Sequence, residues 1–238
     1  MTITSTIDRR PLASLRTVLL GLTVLAAATT TTAVAQVEQL TDDPDAVVIA
    51  FGDTTITKAE FDDAFDVAAR STAIGQGMPV TDEVLAEFEP FRFGFLEQYA
   101  TQRVLAAEAE ERGLGATDEA IDGVVEALRE EQADVAAFDT WLDAAGYGDE
   151  GALRDALSVN LSAQGLVEQL AADVEVDAQS VRDWYEANPE AVTTEDGVLV
   201  PLEDIGDQIE ELLVQEQLET QVQAITQAAG LELYPEGR

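Results

Sequence analysis

Histidine and cysteine are both missing from this 238-residue chain, and lysine occurs once, at Lys58. Without histidine the usual general base near neutral pH is gone, and without cysteine so is the best soft nucleophile. Imidazole and thiolate metal ligands go with them. No disulfide can form and no N-terminal cysteine can carry lipid, so packing alone must stabilise the fold. Basic residues are scarce, 12 against 48 acidic ones, for a net charge of −36. No basic patch can be assembled to neutralise phosphates, which excludes nucleic acid as a partner. No glycine-rich phosphate loop is present, so ATP use is not indicated.

Long apolar runs are also few. The longest, "TVLLGLTVLAAA" over residues 17–28, follows Arg9, Arg10 and Arg16 and precedes "AVA" and Gln36. This is the layout of a secretory signal peptide over residues 1–35, cut after Ala35. Twelve residues rise about 18 Å as a helix against a hydrocarbon core of roughly 30 Å, too short for an anchor. Arg9 and Arg10 leave twin-arginine export open beside the general route. No later segment is apolar enough to span a membrane, so stable membrane insertion is not expected and the mature chain is periplasmic or otherwise extracytoplasmic. Removing 35 residues leaves 203, with nine basic and 47 acidic side chains and a net charge of −38.

Carboxylates are the chemistry that remains. Pairs of them can run acid–base or glycosidic reactions when their surroundings split the two pKa values, but no pair stands out among so many. The acidic stretches "TDDPDA" (41–46) and "TTEDG" (193–197) lack the ligand spacing of a calcium loop. No catalytic residue, metal site or cofactor is expected.

Along the mature chain, a polar lead-in over 36–46 gives way to "VVIAFGDTTI" (47–56), two β-branched runs around Gly52 and Asp53 that predict a hairpin. Thr57 and Glu60 have the spacing of a capping box, opening a helix from Lys58 to about Ile74. Thr81 caps the next segment, which runs roughly 30 residues to Gly113 unless Pro90 or Gly94 kinks or splits it. On a helical period, Phe88, Phe91, Phe95 and Tyr99 share one face, and Phe93, Leu96, Ala100 and Val104 another. Thr117 caps a helix with a stripe of Ile121, Val124, Val125 and Leu128. A short helix ends at Gly146, a longer one follows, and another short one stops before Pro189. Pro201 opens a last helix ending at Gly230. Its apolar face moves from Leu202, Ile205, Ile209, Leu212 and Leu213 to Leu218, Val222, Ile225 and Ala229, so it bends near Gln215 or packs its halves on different surfaces. The final "LELYP" alternates as a strand and needs partners, which the first hairpin can supply. The fold class is mainly α, with a small three-stranded β element joining the N- and C-terminal ends of the mature chain.

Taken in order, "VVIAFGDTTITKAEFDDAF", "FLEQYATQRVLAAEAEERGL", "LRDALSVNLSAQGLVEQL" and "VDAQSVRDWYEANPE" resemble the chaperone domain of SurA-like and PrsA-like extracytoplasmic peptidyl-prolyl isomerases. The likeness covers residues 47–190 and resumes over 201–234. In that family a Tyr-x-x-Asn-Pro-Glu end, here "YEANPE", leads into a parvulin isomerase domain of about a hundred residues, a common domain size. Here only residues 191–200 stand in that place. The resemblance implies a chaperone module without its isomerase, and a linker over 191–200. Its partners would be unfolded or nascent exported proteins. Two other readings stay open: an isomerase with residual or reduced activity, and an assembly factor with one dedicated partner. The two-faced helices are also compatible with a homodimer formed by exchanging the C-terminal helix. For client binding the candidates are Phe93, Trp141, Trp184 and Tyr185, each read alternatively as ordinary core. Phe93 stands off the main aromatic face and is the first choice to be partly exposed.

An acidic surface poor in lysine keeps a protein soluble, and its self-repulsion is best tolerated where salt screens it, which points to a saline habitat. The thermal unfolding midpoint is therefore expected to rise as salt is added; melting curves that fall with salt would refute this.

Overall fold

Residues 40–194 and 197–238 are described in the computed structural model. The signal peptide predicted over 1–35, and the lead-in as far as residue 39, lie outside them.

Strands β1 (Val47–Phe51) and β2 (Thr54–Thr57) pair antiparallel around Gly52 and Asp53. Gly52 takes a φ of 50°, a conformation glycine adopts without steric penalty at a tight hairpin turn. Thr57 ends β2 and caps α1 (Lys58–Gly75). Its backbone N–H donates to the Glu60 carboxylate at 2.7 Å, and its Oγ1 accepts the Glu60 N–H at 3.3 Å. The bond from the Thr57 backbone, with the one from its hydroxyl, holds the Glu60 carboxyl below the usual carboxylate range.

The segment from Thr81 to Gly113 does not form one long helix. It divides into α2 (Asp82–Ala86), a 3₁₀ turn (Glu89–Phe91) that begins beside Pro90, and α3 (Arg92–Glu111). Proline lacks the N–H a continuous ladder needs there and clashes with the preceding turn; Gly94 sits undisturbed inside α3. The turn changes the helical phase. Phe88, Phe95 and Tyr99 pack on the core, but Phe91, predicted to join them, is 67% exposed. Arg92 secures the junction, meeting Glu89 at 2.8 Å and Asp62 of α1 at 2.6 Å, with its guanidinium 4.3 Å above the Phe65 ring.

Three capped helices follow: α4 (Asp118–Glu130), α5 (Val135–Ala145) and α6 (Glu150–Asp173), opened by Thr117, Asp134 and Asp149. Gly146 closes α5 in the left-handed region at φ 87°, where a β-carbon would also meet the Arg70 side chain at 3.0 Å. Then come α7 (Ala178–Ala187), α8 (Leu202–Ala228) and β3 (Glu232–Leu233).

Two apolar cores result. The larger gathers β1, β2, α1 and α3 with the C-terminal parts of α6 and α8, around Ile49, Phe61, Leu96, Leu166, Val222 and Ile225. The smaller lies between α4, α5 and the first half of α6, around Ile121, Val125, Phe138, Leu142, Leu153 and Leu157. Helix α6 serves both, and at its midpoint the buried Ser162 Oγ accepts the Ala116 N–H at 2.8 Å, tying the loop before α4 to the helix. The shifting face of α8 has its explanation here: the helix stays continuous, and its halves pack on different neighbours. Ile209 lies beside α7, while Val222 and Ile225 enter the larger core.

The sheet order is β2-β1-β3, so the end of the chain flanks its beginning. Tyr234 N–H donates to the Val48 carbonyl at 2.8 Å, Gly52 N–H to Ala229 at 2.9 Å, and Thr41 N–H to Pro235 at 2.8 Å. Paired strand is limited to Glu232 and Leu233, shorter than the alternation of "LELYP" implied. Ending the chain at Gly230 should uncover β1 and lower the unfolding midpoint by about 5 °C or more, with increased binding of an apolar dye. An unchanged midpoint would show that β3 contributes nothing.

Candidate functional site

Helix α7 opens on Asp177, whose carboxylate accepts the Ser180 N–H at 2.7 Å and the Ser180 hydroxyl at 2.8 Å. The backbone bond, then the hydroxyl, holds its pKa below the ordinary value. The helix stops at Ala187 because Pro189 forces Asn188 out of helical geometry, to φ −123° and ψ 52°. The Asn188 side-chain amide turns back to donate to the Trp184 carbonyl at 2.8 Å.

The stretch 191–200, read from sequence as a linker, folds into a small hairpin. Thr193 and Leu199 bridge antiparallel, Val200 N–H donates to the Val192 carbonyl at 2.9 Å, and Thr194 N–H donates to Val198 at 2.9 Å. Gly197 makes the turn at φ 78°. Thr193 Oγ1 donates to the Pro189 carbonyl and Tyr185 Oη to the Val200 carbonyl, each at 2.6 Å. Val192 is buried. The signal for this lies in "VTT" and "VLV", two triplets rich in β-branched residues on either side of a glycine-containing stretch.

Between α7, the hairpin and the first half of α8 lies an open cleft of about 330 Å³, lined by Trp184, Val192, Val200, Ile205, Ile209 and Leu212. Val181, Val192 and Ile209 are buried here yet belong to neither of the two cores. Apolar surface continues outward: Val198 is 62% exposed, Leu199 48% and Leu212 36%. Three of the five large apolar side chains exposed among the described residues thus belong to the hairpin and α8, and in a molecule this charged they are the informative kind of exposure.

The four aromatics singled out from sequence do not form one cluster. Trp184 lines the cleft, and Tyr185 fastens the hairpin that walls it. Trp141 packs on the smaller core, stacked on Phe138 at 5.9 Å and tilted toward Tyr147 at 6.1 Å. Burial there raises the Tyr147 hydroxyl pKa. Phe93 is half-buried on the first turn of α3, apart from both cores. Sequence reasoning passed over Phe91, Val198 and Leu199 as surface features, because a phase change and a hairpin expose them.

A second hollow, of about 180 Å³, lies among Phe51, Thr54, Arg103, Glu110, Ser158 and Ser162. The carboxyls held away from the ordinary pKa, Glu60, Glu89 and Asp177, all move down, each through a cap or an arginine. Among the described residues, no group of three or more carboxylates is placed to hold a metal ion, and no helix is long and apolar enough to cross a membrane.

Compared with known families, residues 9–167 match the SurA-like N-terminal domain, and no parvulin domain is matched. No curated protein and no solved structure matches the chain. The match ends inside α6, so the cleft lies beyond the matched residues.

Replacing Tyr185 by Phe removes the bond to Val200, worth about 1 kcal/mol. The Thr194 and Val200 amides should then exchange with solvent several-fold faster, while the global unfolding midpoint moves by less than about 2 °C. Unaltered exchange would mean that the hairpin does not depend on this hydroxyl.

Proposed function

The chain belongs to the SurA-like N-terminal domain family, and from that premise we propose that it is an exported, ATP-independent holdase. It binds unfolded or newly translocated proteins without changing any bond in them. The family supports this reading, since the SurA-like N-terminal domain is a chaperone module rather than a catalytic one. So does the leader, with its arginines ahead of a short apolar run. The observation that carries it is an open apolar cleft in a chain of this family, bordered by the stretch 191–200. The resemblance to SurA-like and PrsA-like isomerases implies a parvulin domain at that stretch in those proteins, and here ten residues stand there.

The energetics fit a holding function. A client segment that hides roughly 300 Å² of apolar surface gains about 7 kcal/mol gross. Association costs offset most of that, leaving weak contacts that exchange quickly. Several such contacts along one client, at the cleft and at Phe91 and Phe93, hold it by their combined effect. The acidic surface keeps the complex soluble. Exchange of α8 and β3 between two copies would rebuild the β1–β3 pairing across chains, and light scattering at moderate salt distinguishes that dimer from a monomer.

The purified protein should suppress aggregation of a denatured client at near-stoichiometric amounts and leave the rate of proline isomerisation in a test peptide unchanged. Faster isomerisation, or aggregation at its unassisted pace, would refute the proposal. Replacing Phe93 by Ser should weaken suppression at little cost in helix content. A fall in the unfolding midpoint of about 5 °C or more would instead assign Phe93 to the core.

A further inference from the structure

Resting on the holdase reading, the charge distribution names the client chemistry that the cleft selects. The 49 residues from Asp183 to Leu231 hold 12 carboxylates and no lysine or arginine. Elsewhere most of the few bases are paired, Lys58 and Arg92 with Asp62, Arg70 with Asp66, Arg129 with Glu150, and Arg154 with Asp122; Arg182, exposed on α7 just before this stretch, bonds to Gln179 of its own helix. Among the described residues no ion pair falls inside 183–231. That segment builds most of α7, the hairpin and α8, the walls of the cleft.

Apart from Arg182 on α7, the rim is therefore uncompensated. Asp204 and Glu211 lie one turn to either side of Gln208, which lines the cleft, and both are exposed. Glu186 and Glu190 are exposed at the α7 end. Apolar walls inside such a rim suit a ligand that is apolar at its centre and cationic at its edges. A second copy of this chain would bring like charges together, and an anionic membrane surface would be repelled in the same way.

We infer that the cleft between α7, the hairpin and α8 is a docking site for extended polypeptide segments in which lysine or arginine flanks apolar side chains. The apolar side chains enter beside Trp184, Ile205 and Leu212, with Leu199 covering them, while the cations meet Asp204 and Glu211. Because the rim is exposed, its attraction depends on salt and acts chiefly on the rate of encounter and on the choice of segment.

The test uses the full mature protein and three labelled 12-residue peptides with the same leucines, alternating with lysine, serine or glutamate. By fluorescence anisotropy at low salt, the lysine peptide should bind about tenfold tighter than the serine peptide, and the glutamate peptide weakest. The advantage of lysine should shrink several-fold when the salt is raised tenfold. Leu199→Ser with Leu212→Ser should weaken the lysine peptide about tenfold. Asp204→Asn with Glu211→Gln, both at exposed positions where folding is not at stake, should remove about threefold of the preference. Equal binding of the lysine and serine peptides, or full affinity in both double variants, would overturn the assignment. If that happens while wild-type protein still suppresses client aggregation, the cleft assignment fails alone; if suppression is absent as well, the holdase reading fails with it.

Discussion

Strand β1 cannot be satisfied by the hairpin that begins the fold. Val48 and Ile49 are fully buried, and a two-stranded ribbon does not hold such residues out of water by itself. The second partner is β3, which the chain supplies only after α8 has crossed the larger core with Val222 and Ile225. Everything between α6 and β3 is thus held at both ends. Helix α6 is anchored by Leu166 and Leu170, α8 by its second half, and α7, the hairpin and the start of α8 are held between these two fixed points.

That constraint explains how an apolar cleft persists without being absorbed into the core. The first half of α8 packs on α7 through Ile209, and its distance along the helix from Val222 keeps it from the larger core. The hairpin is fixed by the Tyr185 hydroxyl and by the Thr193 hydroxyl bond to Pro189. Val198 and Leu199, consecutive on one strand of the hairpin, both stay exposed, while Val192 on the opposite strand is buried.

Charge adds a second level of organisation. Arginine is rare, and three arginines join elements that must not drift apart: Arg92 ties the 3₁₀ turn to α1, and Arg129 and Arg154 tie α4 to α6. Each such partly exposed pair contributes at most about 1 kcal/mol, yet they sit where helices meet, and residues 183–231 are left without a lysine or arginine. The ion pairs that join helices are in this way set apart from the acidic stretch that borders the cleft.

Much of the fold was legible from residue pattern. The capping box at Thr57 and Glu60, the caps at Thr81 and Thr117, the break near Pro90 and the divided face of α8 are local features, set by hydrogen bonds and periodicities within a few residues. The pairing of β3 with β1 was legible too, because an unpartnered strand allows few solutions. The site was less so. Trp184 and Tyr185, named from sequence, border the cleft, but Phe91 was grouped with a face that packs on the core and 191–200 was read only as a linker. By itself the sequence determined the helices, their ends and the excess of negative charge, since these depend on neighbours along the chain. Only the tertiary structure decided which apolar residues remain uncovered, because exposure depends on what packs against a side chain from distant parts of the chain, and local periodicity does not contain that information.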